Sequence, residues 1–174
     1  MFNGKFQIYT GNGKGKTTAA LGLALRASGA GFHVYFGQFI KDSEYSEIKR
    51  LRELPGLTVE QYGTGNGCLI GKSPTDFDIA CAEKGLRRLR EAMLSGKYNV
   101  VIADEINCAF GLKLLTEKQL EELAGQRPQD VELVFTGRWA PKSLIEMADL
   151  VTEMTEVKHY YSTENLSARV GIEC

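Results

Sequence analysis

Thr10-Gly11-Asn12-Gly13-Lys14-Gly15-Lys16-Thr17-Thr18 decides how the rest of this chain is read. An apolar run, Phe6-Gln7-Ile8-Tyr9, precedes it, and an alanine- and leucine-rich helical pattern over residues 19–27 follows. Strand, glycine loop and helix together are the context a phosphate cradle requires. Glycines let the backbone turn tightly and aim several N–H groups at one anion. The helix that follows adds its positive N-terminal end. Lys16 is placed to reach a phosphate, and Thr17 to offer its hydroxyl to Mg²⁺. The usual pattern is G-x-x-x-x-G-K-[ST], and Thr10 stands where its first glycine would be, which leaves the turn to Gly11 and Gly13. The competing reading is a glycine-rich turn ahead of an ordinary helix. It does not account for Gly-Lys-Thr-Thr at a helix start.

The chain has 174 residues, enough for one compact domain with a substantial core, and that domain is expected to span residues 1–174. Net charge is −1, with acidic and basic residues interspersed. No long basic stripe offers a footprint for nucleic acid. No apolar run is long enough to span a bilayer. The first strand begins a few residues from the start, so no signal or transit peptide is expected and the cytoplasm is the expected compartment. The four cysteines, Cys68, Cys81, Cys108 and Cys174, form no C-x-x-C pair and no zinc spacing. Disulfides are not expected in that compartment. Cys81 lies in a helical pattern and reads as a small buried hydrophobe.

Strand and helix signals alternate along the chain. Strands are predicted at 5–10, 33–39, 57–62, 100–103 and 131–136, with an extended segment at 150–158 and a final short strand at 170–173. Helices are predicted at 16–28, 45–54, 75–94, 116–124 and from Pro141 to 148. Thr75 or Ser73 caps the long helix, and Thr116 with Gln119 forms a capping box. Residues 63–73 carry four glycines and no periodicity. The alternation predicts an α/β fold, a single P-loop NTPase-like (RecA-like) domain with a mainly parallel central sheet and helices on both faces. Ligands of such sheets collect at the carboxyl ends of the strands. Segments 10–18, 38–41, 104–107 and 136–138 are all expected there.

Each segment carries candidate chemistry. Asp104 and Glu105 close the buried strand, where a carboxylate holds Mg²⁺ directly or through water beside the Thr17 hydroxyl. The pair leaves open which carboxylate touches the ion. Gln38 is a candidate to hydrogen-bond a nucleotide or a water, and Lys41 to neutralise phosphate charge or simply be solvated. Arg138 offers a planar fork that suits phosphate oxygens. His33 reads as structural or exposed, whereas His159 sits beside Lys158 and is a better candidate. Trp139, Phe36 and Phe110 read as core or rim packing.

Taken in order, these stretches resemble the P-loop-type ATP:corrinoid adenosyltransferases, which act on cob(I)alamin or cob(I)yrinic acid a,c-diamide. The resemblance rests on residues 11–20, Gln38-Phe39-Ile40-Lys41, Asp104-Glu105, Thr136-Gly137-Arg138, residues 148–154, Lys158-His159 and Gly171-Ile172-Glu173. It implies transfer of the 5′-deoxyadenosyl group of ATP to Co(I) of a reduced corrinoid, with triphosphate released. It implies Mg²⁺ or Mn²⁺, ATP held in a reversed sense across the loop, and catalysis by Lys16 and Arg138. ATP contacts are implied at Gly11, Asn12, Gly13, Lys14, Gly15, Lys16, Thr17, Thr18, Gln38, Lys41 and Arg138, and metal contacts at Thr17, Asp104 and Glu105. A flavodoxin-like reductase and a homodimer are implied partners. Some members carry aromatic residues after the third strand, where this chain has Thr64 to Ile70, and Leu69 or Ile70 is the candidate apolar face against cobalt. Some also have an N-terminal extension over the corrinoid. Here four residues precede the first strand, so the cover is expected from another segment or a second subunit, or the site is more open. Two other classes compete: a phosphate-loop ATPase or kinase that cleaves a phosphoanhydride bond, and a nucleotide-dependent module that hands a cofactor to an acceptor.

Overall fold

A computed structural model describes residues 2–65 and 73–173. The elements are β1 (Phe6–Thr10), α1 (Lys16–Gly29), β2 (Val34–Ile40), α2 (Ser46–Glu53), β3 (Leu57–Gly63), α3 (Asp76–Leu94) and β4 (Val100–Asp104). They continue as α4 (Ile106–Gly111), α5 (Glu117–Gly125), β5 (Glu132–Thr136), α6 (Lys142–Met147), β6 (Leu150–Glu153) and α7 (Tyr160–Glu164). The six strands form one sheet in the order β3-β2-β4-β5-β1-β6, and every pair is parallel. The predicted α/β architecture is therefore present.

Alternation along the strands sends successive side chains to opposite faces, and both faces of the central strands are covered. On one side Ile8, Tyr35, Phe39, Val101, Leu133 and Phe135 belong to one core cluster with Leu86, Leu89 and Met93 of α3 and Leu120 and Leu123 of α5. On the other, Phe36, Val100, Ile102 and Val134 meet Ala20, Ala24 and Ala27 of α1, with Ile48 and Leu51 of α2. This two-sided burial is why Val100-Val101-Ile102-Ala103 reads as an unbroken apolar run. Thr75, not Ser73, caps α3: its hydroxyl accepts the Asp78 N–H at 3.2 Å while Asp78 accepts the Thr75 N–H at 2.9 Å. Thr116 and Gln119 form the predicted box on α5.

Three local differences from the sequence reading have physical causes. The extended segment forms a strand only at Leu150–Glu153, and α7 begins at Tyr160. Residues 170–173 form a turn, not a strand. The Ile172 and Glu173 N–H groups both donate to the Arg169 carbonyl, at 3.2 and 3.0 Å, and Gly171 takes φ +78. Six-residue α4 is too short to show a helical period in the sequence.

The edge strand β6 is fixed at both ends. Phe6 N–H donates to the Asp149 carboxylate at 2.8 Å and Asp149 N–H to the Phe6 carbonyl at 2.9 Å. At the other end, Met154 N–H donates to the Thr10 carbonyl at 2.9 Å.

Leu89 is fully buried at the centre of one layer. Leu89→Ala is expected to lower unfolding free energy by about 2–5 kcal/mol in urea titrations. Leu25→Ala, at a position 58% exposed, is expected to stay within about 0.5 kcal/mol of the parent.

Candidate functional site: a cleft over the first glycine loop

The carboxyl ends of β1, β2, β4 and β5 open into a cleft of about 710 Å³, within the range of small-molecule sites. Asn12 to Thr18 form one wall, Ile40 and Lys41 another, and Glu105, Arg138 and Trp139 a third. The topology therefore gathers all four predicted segments at one edge.

The glycine loop owes its composition to a close approach. Gly11 has φ +93, and a Cβ there would lie 2.4 Å from the Met154 carbonyl oxygen. A Cβ on Gly13 would lie 2.8 Å from the same oxygen. The chain leaving β6 therefore crosses the loop at a distance only glycine permits. Thr10 is tolerated in place of the usual glycine because it is the last residue of β1, not part of the turn. The Gly13 N–H donates to the Met154 carbonyl at 2.7 Å and is thus directed at the protein. The amides at the start of α1 are placed differently. Gly15, at φ +116, is its N-cap, and no side chain caps it. First-turn N–H groups have no intrahelical partner.

Lys16 is nearly buried and its ammonium donates to the Gly13 carbonyl at 2.7 Å. Burial lowers its pKa, against the opposing field of Glu105, and Arg138 adds to the lowering. Arg138 reaches the loop from β5, its guanidinium 3.4 Å from the Asn12 carbonyl, while its backbone N–H donates to Cys108 Sγ at 3.2 Å. Burial raises the Cys108 thiol well above its ordinary value.

Beneath the cleft runs a hydrogen-bond ladder across four adjacent strands. Gln61 of β3 donates to Gln38 of β2 at 2.9 Å, and Gln38 donates to Asp104 of β4 at 2.9 Å. Thr136 of β5 donates to Asp104 at 2.7 Å and accepts the Glu105 N–H at 2.9 Å. Strand register sets it up, because Gln38 is the direct partner of both Gln61 and Asp104. Both Asp104 oxygens are thereby engaged, and Asp104 and Gln38 are completely buried. Burial raises the Asp104 pKa, and Glu105 raises it further.

Glu105 does line the cleft. It takes φ +60, and its carboxylate lies 3.8 Å from the Lys41 ammonium. Burial opposes the Lys41 charge, yet the fields of Asp104 and Glu105 hold its pKa above the ordinary value. Ile40 at φ +69 and Trp139 at φ +64 also line the cleft. Left-handed backbone at a bulky or β-branched residue costs about 1–3 kcal/mol and concentrates at functional sites.

Of the sequence candidates, Asn12, Gly13, Lys14, Gly15, Lys16, Thr17, Thr18, Lys41, Glu105 and Arg138 line the cleft, as does His159. Gly11, Gln38 and Asp104 lie behind its walls. Thr17 and Glu105 present hard oxygen donors to the same space. No group of three His, Cys, Asp or Glu residues among the described residues is arranged as a cage. That donor set fits Mg²⁺, which keeps waters and substrate phosphates rather than an all-protein shell. Leu69 and Ile70 lie outside the described residues, as do Cys68 and Cys174. Cys81 is half-buried and free, as Cys108 is buried and free. Trp139 and Leu112, which add apolar surface to the cleft lining, carried no motif. The one legible signal for Trp139 was its place two residues after Thr136-Gly137.

A parallel sheet with this loop between β1 and α1 and a carboxylate pair at the end of β4 defines a phosphate-loop nucleotide-binding protein. Residues 3–174 match the family described as ATP:corrinoid adenosyltransferase BtuR/CobO/CobP. The chain belongs to that family and is an enzyme, a transferase. It is 30% identical over 166 residues to the corrinoid adenosyltransferase of Escherichia coli (strain K12), covering 95% of this chain and 83% of that one. It is 33% identical over 168 residues to the corrinoid adenosyltransferase of Sinorhizobium sp, covering 95% and 78%. An uncharacterized Nostoc protein is 36% identical over 183 residues, covering 97% of this chain; the chain spans about half the length of that relative, 48%.

Thr136→Val removes one hydroxyl from the ladder at nearly constant volume. It leaves a buried Asp104 oxygen and the Glu105 N–H unpartnered, and is expected to cost about 1–3 kcal/mol of stability in urea titrations. Thr136→Ser is expected to restore most of it.

Proposed function

We propose that this chain, acting as one domain over residues 1–174, transfers the 5′-deoxyadenosyl group of ATP to Co(I) of a reduced corrinoid and releases inorganic triphosphate. The observation that carries this reading is the mixed lining of the cleft, where the cations Lys14, Lys16, Lys41 and Arg138 stand among the apolar residues Ile40, Leu112 and Trp139. The cations suit a polyphosphate, and the apolar residues suit a large ring with little charge.

In the reaction the Co(I) electron pair forms the Co–C5′ bond while the C5′–O bond breaks, and its electrons remain on the departing triphosphate. No proton moves in this step, so no general base is needed. The α1 amides, Lys16 and Arg138 meet the charge that grows on the leaving oxygen, which stabilises the transition state more than bound ATP. Asn12, Lys14, Thr18 and Lys41 hold the rest of the polyphosphate. Thr17 and Glu105 would hold Mg²⁺, which when bound neutralises phosphate charge. Asp104, with Gln38, fixes the backbone from which Glu105 projects. The same reading includes a reductase that supplies electrons to cobalt, flavodoxin-like in kind, a homodimer, and a cytoplasmic setting. For the last, the supporting observation is that no helix among the described residues is long and apolar enough to cross a membrane.

Incubation with ATP, Mg²⁺ and a chemically reduced corrinoid tests the proposal. The expected products are triphosphate and a light-sensitive adenosylated corrinoid in equal amounts. ADP and phosphate without a Co–C bond would instead establish phosphoanhydride cleavage. Lys16→Ala is expected to reduce turnover on the order of 10²-fold or more with the fold intact by circular dichroism. Glu105→Gln is expected to raise the Mg²⁺ concentration needed for half-maximal turnover; an unchanged Mg²⁺ response removes Glu105 from the metal.

A further inference from the structure

One carboxylate ties the end of the chain to the glycine loop. Glu173 accepts from the Lys14 ammonium at 2.6 Å, from the Tyr160 hydroxyl, and from the Arg169 Nε, Nη2 and backbone N–H at 3.2, 3.2 and 2.9 Å. Arg169 and Lys14 also lie over the Tyr160 ring, 4.9 and 5.7 Å from its centre. Arg169, then Lys14 and Tyr160, hold the Glu173 carboxyl far below the ordinary carboxylate range. Little else secures this segment. No residue of α7 is buried, every residue from 161 to 172 is exposed, and Val170 is 86% exposed. A segment with so little apolar burial opens at low free-energy cost. Its far end nevertheless lines the nucleotide cleft, through Gly171, Ile172 and Glu173.

We propose that residues 159–173 form a strap across the cleft, latched by Glu173 on Lys14, and that an incoming polyphosphate releases the strap by taking Lys14 from that carboxylate. The inference rests on the reading of the cleft as a triphosphate site. Lys14 belongs to the phosphate-facing loop, and a polyphosphate brings several negative charges against the single charge of Glu173. The latched strap occupies the cleft mouth and balances the Lys14 charge while no nucleotide is bound. Binding frees the strap, and departure of triphosphate allows Glu173 to return. Glu173 is thus a positioning residue that sets nucleotide affinity through Lys14.

Inorganic tripolyphosphate is the probe, with binding measured by calorimetry and strap opening by trypsin cleavage after Arg169. In the latched form that scissile carbonyl accepts two turn hydrogen bonds and the Arg169 side chain is engaged, so cleavage is slow. The full-length chain is expected to be cut faster once tripolyphosphate binds. Glu173→Gln is expected to be cut fast without it, and to bind tripolyphosphate about two- to fivefold more tightly, the range for loss of one exposed ion pair. Glu156→Gln is the control, since Glu156 lines the same cleft and loses the same charge. An equal gain in affinity from Glu156→Gln would reduce the effect to charge and overturn the latch. Binding of tripolyphosphate with no change in cleavage after Arg169 would overturn the latch alone. No binding at any concentration would overturn the triphosphate reading and the latch with it.

Discussion

Repulsion among four cations around one small cleft is the constraint that the surrounding structure answers. Lys14, Lys16, Lys41 and Arg138 come from three separate strand ends, and like charges so close raise the free energy of the folded chain. Each is given a partner. Lys16 turns back onto the Gly13 carbonyl, Arg138 lies by the Asn12 carbonyl, Lys41 faces Glu105, and Lys14 faces Glu173. The partners are carbonyls or single carboxylates, weaker attractions than a polyphosphate offers. Such a site is stable enough to fold and, on the proposed function, gains more by binding a polyphosphate.

That arrangement depends on a rigid floor. The Gln61–Gln38–Asp104–Thr136 ladder ties β3, β2, β4 and β5 together just below the cleft, and its members hydrogen-bond one another directly. It holds Glu105 in a left-handed backbone conformation that a carboxylate rarely adopts. Strain at Ile40, Glu105 and Trp139 is then affordable because the strands beneath cannot relax. The role of Asp104 follows from the same geometry: it shapes the site from behind, while Glu105 alone of the pair reaches the open space.

Much of the fold was legible because its signals are local. The apolar run before Asp104, the capping boxes at Thr75 and Thr116, and the glycines before Lys16 each have a short-range cause. The features that were not legible depend on contacts across the sheet. Gln38 read as a nucleotide ligand because its pairing with Asp104 arises only from strand register. Gly13 read as an anion donor because nothing in the sequence places the Met154 carbonyl against it. Residues 170–173 read as a strand because a four-residue pattern shows neither the turn back onto the Arg169 carbonyl nor the tie of Glu173 to Lys14, more than 150 residues away.

The sequence by itself determined that a phosphate-binding loop sits between the first strand and first helix, and that an acidic pair ends a strand buried on both faces. Those are properties of neighbours along the chain, fixed by φ preference, helix polarity and apolar periodicity. Only the tertiary structure decided which carboxylate faces the cleft, which glycine is needed for a crossing strand, and which cations line one cleft. The reason is that a parallel sheet brings distant strand ends within hydrogen-bond range, and register alone chooses which side chains meet there.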